Sequence, residues 1–230
     1  VRDRPRKPRL VVRRCIRYVF LALVRLCYRL RVRGREHVPR EGAALVVCNH
    51  VSYMDALVLG GACPRPLRFV MDQPIYDSPW LKWLFCLVGA IPIESERRDP
   101  GSLRRALDDI STALANGEVV MVFPEGRLTP DGEMHRFRRG LEAILARNRV
   151  PVVPAGLAGL WGSWTSHRGG PALATRPRRF RARVSLHFGE PAAPGSVEHQ
   201  ALRHYLEARV RVLRAAAGES VEDRRRAGDR

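Results

Sequence analysis

The chain has 230 residues, 45% of them hydrophobic, enough for one α/β domain with a sizeable core. Its five cysteines (Cys15, Cys27, Cys48, Cys63, Cys86) are scattered and odd in number, never spaced as Cys-x-x-Cys, which argues against a disulfide framework or zinc site and for a reducing compartment. The formal charge of +18 is almost all arginine, since Lys7 and Lys82 are the only lysines, and it implies an anionic partner, either nucleic acid or a membrane surface.

Residues 1–9 are basic and Pro-containing, and read as a mobile arm. Leu10 to Leu30 predicts a helix. On a helical wheel Arg13, Arg14, Arg17, Arg25 and Arg29 fall within a sector of about 160°, and Val12, Ile16, Val19, Phe20, Leu23, Leu26 and Leu30 occupy the other face. The uncharged run Tyr18–Val24 is far shorter than the roughly 20 residues a membrane span needs, and Arg25 and Arg29 argue against a cleavable leader. This pattern suits an amphipathic helix lying in an anionic membrane interface. Docking of the apolar face on the rest of the chain is the other way to satisfy it. Nucleic acid is disfavoured, because no recognition motif is present and the aromatics do not interleave with the basic clusters.

Strands are expected near 44–48, 67–71, 90–93, 118–123, 152–157 and 181–188. Helices are expected near 54–62, 79–88, 102–115, 139–147 and 197–215. The helix at 102–115 is the clearest, with Leu103, Ala106, Leu107, Ile110 and Leu114 on one face, Ser102 as a cap and Asn116-Gly117 as a stop. The alternation predicts an α/β fold: a single mixed, partly parallel sheet flanked by helices. Residues 1–33 are read as the basic arm and membrane-interface helix, 34–217 as the α/β domain, and 218–230 as a polar, disordered tail.

Two strand ends carry candidate chemistry. Asn49-His50-Val51-Ser52-Tyr53-Met54-Asp55 links an apolar strand to a helix. A histidine can exchange protons near neutral pH if one ring nitrogen is held by an acceptor. Five residues on one continuous helix would point His50 and Asp55 about 140° apart, so a His50–Asp55 dyad requires His50 on the turn and Asp55 in the first helical turn. Ser52 suits the N-cap. The plain alternative is a capped helix beside an incidental histidine. Cys48, two residues before His50, reads as a small buried core residue and less as a nucleophile.

The second end is Phe123-Pro124-Glu125-Gly126-Arg127, a charged turn after an apolar strand. Arg127 can grip a phosphate bidentately and Glu125 can bond a hydroxyl, or the two form a surface pair of little consequence. Arg136, Arg138 and Arg139 follow this turn and can meet donor phosphates such as those of coenzyme A. Arg97-Arg98 and the 176–183 cluster read as solvated faces, and Trp161 and Trp164 as buried in the core or at a membrane interface.

Together with Gly89-Ala90-Ile91-Pro92-Ile93 and Val152-Val153-Pro154-Ala155-Gly156, these motifs resemble, in order, those of the glycerolipid acyltransferases, typified by the lysophosphatidic acid acyltransferases. The resemblance covers roughly residues 34–195. It implies an O-acyltransferase whose donor is acyl-CoA or acyl carrier protein and whose acceptor is a lysophospholipid, foremost 1-acylglycerol-3-phosphate. His50 and Asp55 would be catalytic, and Asn49, Ser52, Pro124, Glu125, Gly126 and Arg127 would bind substrate, with no metal and no bound cofactor. The enzyme would sit peripherally on the cytoplasmic face of the cell membrane. Two departures concern the acceptor: Glu94 and Ser95 follow Ile93 where relatives carry an arginine, and Asp72 stands where many carry a lysine. The Phe69-Val70-Met71-Asp72 run and Gly159–Ser163 look more like domains that reacylate lysophosphatidylethanolamine, so the head group stays open. A thioesterase and a basic binding module without catalysis are the readings from other classes.

Overall fold

Every residue of Ala44–Cys48 is buried, and this run is the central strand of the sheet in the computed structural model, which describes residues 7–94, 99–162, 181–193 and 198–226. In chain order the elements are α1 (Lys7–Cys27), β1 (Tyr28–Arg33), β2 (Ala44–Cys48), α2 (Met54–Ala62), β3 (Leu67–Asp72), α3 (Gln73–Tyr76), α4 (Lys82–Val88), β4 (Ile91–Ile93), α5 (Ser102–Ala115), β5 (Val119–Val122), α6 (Gly140–Arg147), β6 (Val152–Ala158), β7 (Ala182–Phe188) and α7 (His199–Arg226). The described strands form one seven-stranded sheet in the order β1-β7-β6-β2-β5-β3-β4. β6, β2, β5, β3 and β4 run parallel, and β7 is antiparallel to β6. The expected mixed α/β sheet is what forms.

Strand alternation divides the core. Val46 and Cys48 face one cluster with α1 and α2, including Val24, Val58 and Leu59. Leu45 and Val47 face the other, with α5, α6 and α7, including Ile110, Leu141 and Leu206. Each such side chain contributes about 1.5–3 kcal/mol on burial. Because β2 and β5 are parallel neighbours, with Val47 beside Val122, the loops leaving them meet at the same end of the sheet.

Four expectations are corrected. Tyr28–Leu30 are not the end of the N-terminal helix; they belong to the edge strand Tyr28–Arg33, paired in parallel with β7. The unit read as 1–33 therefore lends a strand to the sheet of the main domain. The segment from Gly218 to Arg226 is not a disordered tail but the last turns of α7: Ala217, Ser220 and Val221 are buried, and Arg224 donates to the carbonyls of Arg29 and Val184. Burial at spacings of three and four residues in a charge-rich run makes it helical. The helix expected at 79–88 begins at Lys82, with α3 as a separate short turn before it. Ser102 is not the cap of α5, which is Gly101; its Oγ accepts the Glu94 N–H at 2.7 Å.

α1 presents its faces differently from the wheel. Arg13 is buried and donates to Glu118 at 2.8 Å, Arg17 donates to the Cys63 carbonyl, and Val24 is fully buried. Val12, Val19, Leu23 and Leu26 face outward, while Arg29 and Leu30 lie in β1. The helix sits this close because α2 carries Gly61: a Cβ there would lie 2.8 Å from the Leu21 backbone. Among the described residues no helix is long and apolar enough to cross a membrane. Trp161 packs against the first core with its ring over Gly132. Trp164, Ser163, Ser95, Arg97-Arg98 and residues 176–180 lie outside the described residues.

Candidate active site

β2 ends at Cys48, and five residues, Asn49 to Tyr53, form the turn before α2 starts at Met54. Asn49 closes the strand: its Nδ2 donates to the Leu157 carbonyl and its Oδ1 accepts the Leu157 N–H, at 3.0 and 2.8 Å. The fully buried Asn49 thus continues the β2–β6 pairing through its side chain. His50 follows on the turn, and Asp55 stands in the first turn of α2. His50 Nδ1 and Asp55 Oδ2 are 2.9 Å apart. The same Oδ2 accepts the Val51 and Ser52 N–H groups at 2.6 and 2.9 Å, so Asp55 is itself fixed in place and fully buried. The acceptor on Nδ1 selects the tautomer that leaves Nε2 for proton transfer. Ser52 Oγ accepts the Met54 N–H, one position before the N-cap residue Tyr53.

Phe123, the first residue after β5, stacks on the imidazole with centroids 3.9 Å apart and planes 11° from parallel. The backbone N–H of His50 donates to Glu125 Oε1 at 2.7 Å, and that of His135 donates to Oε2 at 2.7 Å. Burial of the carboxyl pushes Glu125 up to about 6, against the stabilising pull of these two N–H groups. The Cys48 thiol is pushed well upward, burial being the main cause, so it stays a core residue and not a thiolate nucleophile.

Beside His50 opens a cavity of about 630 Å³. Among the described residues, its polar and charged side chains are His50, Tyr53, Asp72, Glu94, Arg127 and Arg138, and the others on the wall are apolar, with Phe69 and Met71 from β3 and Leu107 and Ile110 from α5 among them. Arg138 leans over the turn at Gly126: a Cβ on that glycine would lie 2.9 Å from Arg138 Cδ, and its φ of +65° also favours glycine. A proton acceptor, two guanidiniums and an apolar cavity together suit a substrate with a hydroxyl, an anionic group and a hydrocarbon chain.

The sequence-derived set divides here. His50, Pro124, Gly126, Arg127 and Arg138 line the cavity. Asn49, Ser52 and Glu125 do not: they are buried, and their polar atoms bond the backbone of this site. Asn49 joins β2 to β6, and Ser52 and Glu125 accept backbone N–H groups beside it. Arg136 and Arg139 are exposed and off the cavity wall, so the three arginines considered for donor phosphates do not converge. Phe123 carried no separate role in the sequence reading, although its place beside Glu125 in the motif was the available signal. The carboxylates of Asp72 and Glu94 on the wall were legible only as departures.

The acyltransferase family model, described as "Acyltransferase", matches residues 29–158, more than half of the chain. The chain belongs to the acyltransferase family. This acyltransferase is 30% identical over 133 residues to the chloroplastic 1-acyl-sn-glycerol-3-phosphate acyltransferase of Arabidopsis thaliana, covering 57% of this chain and 36% of that protein. It is 25% identical over 131 residues to the 1-acyl-sn-glycerol-3-phosphate acyltransferase of Bacillus subtilis, covering 56% of this chain and 63% of that one. The acyltransferase chain thus spans between about a third and just under two thirds of the length of these curated relatives. Its fold is similar to the crystal structure of the 1-acyl-sn-glycerophosphate acyltransferase PlsC of Thermotoga maritima, with a TM-score of 0.68 and 28% identity, over 91% of this chain and 80% of that one.

Proposed function

We propose that this acyltransferase esterifies the free hydroxyl of 1-acylglycerol-3-phosphate with an acyl group from a thioester, acyl-CoA or acyl carrier protein, giving phosphatidic acid. The observation that carries the reading is the His50–Asp55 pair opening onto an apolar cavity whose wall also holds Arg127 and Arg138. The names of the relatives support the acceptor.

In this reaction His50 Nε2 takes the proton of the acceptor hydroxyl while Asp55 stabilises the imidazolium that forms. The oxygen attacks the thioester carbonyl carbon. As the tetrahedral intermediate collapses, the carbon–sulfur bond breaks and the imidazolium returns its proton to the leaving thiolate. No acyl-enzyme forms, in keeping with the elevated, thiol state of Cys48. Arg127 and Arg138 hold the acceptor's phosphate by charge-assisted hydrogen bonds. The apolar wall receives the acyl chain.

A second acceptor class has its own support. Asp72 and Glu94 stand on the same wall as the two arginines, which suits a head group carrying an amine as well as a phosphate, such as lysophosphatidylethanolamine or a lyso-aminolipid. The protein acts at a membrane surface, peripherally and on the cytoplasmic side. The outward valines and leucines of α1, together with Trp80 and Trp83, which are 84% and 64% exposed, support the membrane contact. The five free cysteines support a reducing compartment.

The test is incubation of the purified chain with labelled acyl-CoA or acyl carrier protein and each lysophospholipid in turn, with His50→Ala alongside. Phosphatidic acid that disappears in the variant is the expected result. Release of free acid without acceptor, at a rate matching the full reaction, would instead make it a thioesterase. Equal product from wild type and variant would remove the mechanism.

A further inference from the structure

Glu125 sits in the most recognisable motif of the chain, yet it is only 2% exposed and does not line the cavity. Its two oxygens have separate partners. Oε1 accepts the His50 N–H and Oε2 the His135 N–H, each at 2.7 Å. Those residues lie on different loops: His50 follows β2, and His135 belongs to the segment that leads through Arg138 into α6. The His50 loop also meets the segment after β5 through a weaker neutral contact, the Thr129 N–H on the His50 carbonyl at 3.2 Å, and within that segment the Arg138 N–H bonds the Pro124 carbonyl at 2.9 Å.

We propose that Glu125 is a positioning residue whose buried carboxylate clamps the His50 loop to the Arg138 loop, fixing the base relative to a phosphate-binding guanidinium. Its role in turnover rests on the acyl-transfer reading above; the clamp itself does not.

The chemistry explains why a carboxylate is used. Two backbone donors converge from opposite sides, and only an ionised carboxyl offers an acceptor to each without carrying a hydrogen of its own. N–H bonds to an ionised acceptor are short and about twice as strong as neutral ones. Glutamine has the same shape but one acceptor and one donor. Either orientation sets an NH2 against an N–H and leaves a buried donor unmet. Aspartate is one methylene shorter and cannot span both loops. The ionisable groups acting on Glu125 are His50, which favours its charge, and Asp55, which opposes it; the His135 and His50 backbone amides favour it, and burial outweighs them all. Protonation therefore gives one clamp bond an acceptor already bearing a hydrogen, so the two loops loosen together.

The experiment uses the full chain, labelled with 15N, as wild type and as E125Q and E125D. In wild type the His50 and His135 amide protons should be shifted downfield and should titrate together, with one shared midpoint above the ordinary glutamate range. In folded E125Q one or both move upfield. Its kcat falls about 10–100-fold by the same factor whether a lysophospholipid or water accepts the acyl group, while KM for the thioester is unchanged. The acid limb of its pH–rate profile loses one ionisation. E125D should fail to restore either amide shift.

If the wild-type amides titrate independently, or E125Q keeps kcat and raises only the acceptor's KM, Glu125 touches substrate and the clamp is wrong. The amide titration needs no turnover. It tests the clamp even if wild type transfers no acyl group, an outcome that would defeat only the function proposed above.

Discussion

The imidazole of His50 lies flat on the ring of Phe123, 3.9 Å between centroids, while Asp55 holds its edge at 2.9 Å. One side chain thus fixes the plane of the imidazole and the other its tautomer, which leaves Nε2 as the ring nitrogen outside the pair. His50→Ala should lower kcat by about 10²–10⁴-fold, roughly 3–5 kcal/mol of barrier, without unfolding the chain. Asp55→Asn can keep its oxygen toward the three N–H donors but loses the charge that favours imidazolium. A loss of kcat with little change in KM is expected, measured with thermal melts to show that the fold persists. Unchanged kcat in both variants would place the chemistry elsewhere.

The arginines should separate cleanly. Arg127→Gln and Arg138→Gln should each raise the acceptor's KM by about 10–100-fold, the usual loss for a hydrogen bond to a charged group. Arg136→Gln and Arg139→Gln, off the cavity wall, should leave that KM within about twofold. Steady-state kinetics with 1-acylglycerol-3-phosphate checks both, and four equal effects would mean a diffuse electrostatic field and no specific grip.

Stability should carry the mark of Glu125. Its folded pKa of about 6 lies above the ordinary 4.5, so between those values the folded protein binds this proton more often than the unfolded chain does. Stability from this group is therefore greatest below about pH 4.5 and declines as the pH rises to about 6, by roughly 2 kcal/mol in all. In E125Q that decline should be absent. Denaturant unfolding of both proteins at half-unit pH steps measures it, and parallel curves would show that the carboxyl is not raised.

Docking of α1 depends on close approach and on one buried ion pair. Gly61→Val would press a side chain into the Leu21 backbone, which lies 2.8 Å from an ideal Cβ, and should cost at least about 1–3 kcal/mol. Arg13→Ala should cost about 1.5–3 kcal/mol; the Arg68 guanidinium, 3.6 Å from Glu118, limits the loss. In contrast, Val19→Glu with Leu23→Glu on the outward face should leave the melting temperature nearly unchanged and reduce sedimentation with anionic vesicles. Undiminished vesicle binding would remove α1 from the membrane contact.

Local pattern by itself determined the elements whose burial repeats within a few residues. α2 and α5 fall where the apolar spacing put them, and β2 and β5 read as short runs of buried aliphatics. The dyad was legible for a similar reason, since a turn followed by one helical turn is enough to bring Asp55 to His50. Tertiary structure decided what depends on a partner far along the chain. Tyr28–Leu30 continue a plausible helical wheel, and only pairing with β7, more than a hundred residues later, puts them in a strand. The charge-rich end of α7 is ordered because Arg224 finds carbonyls on β1 and β7. The two arginines that face inward on α1 do so because Glu118 and the Cys63 carbonyl wait there. Glu125 follows the same rule: a carboxylate in a motif can serve a substrate or a backbone, and which it serves is set by the N–H groups that the fold aims at it.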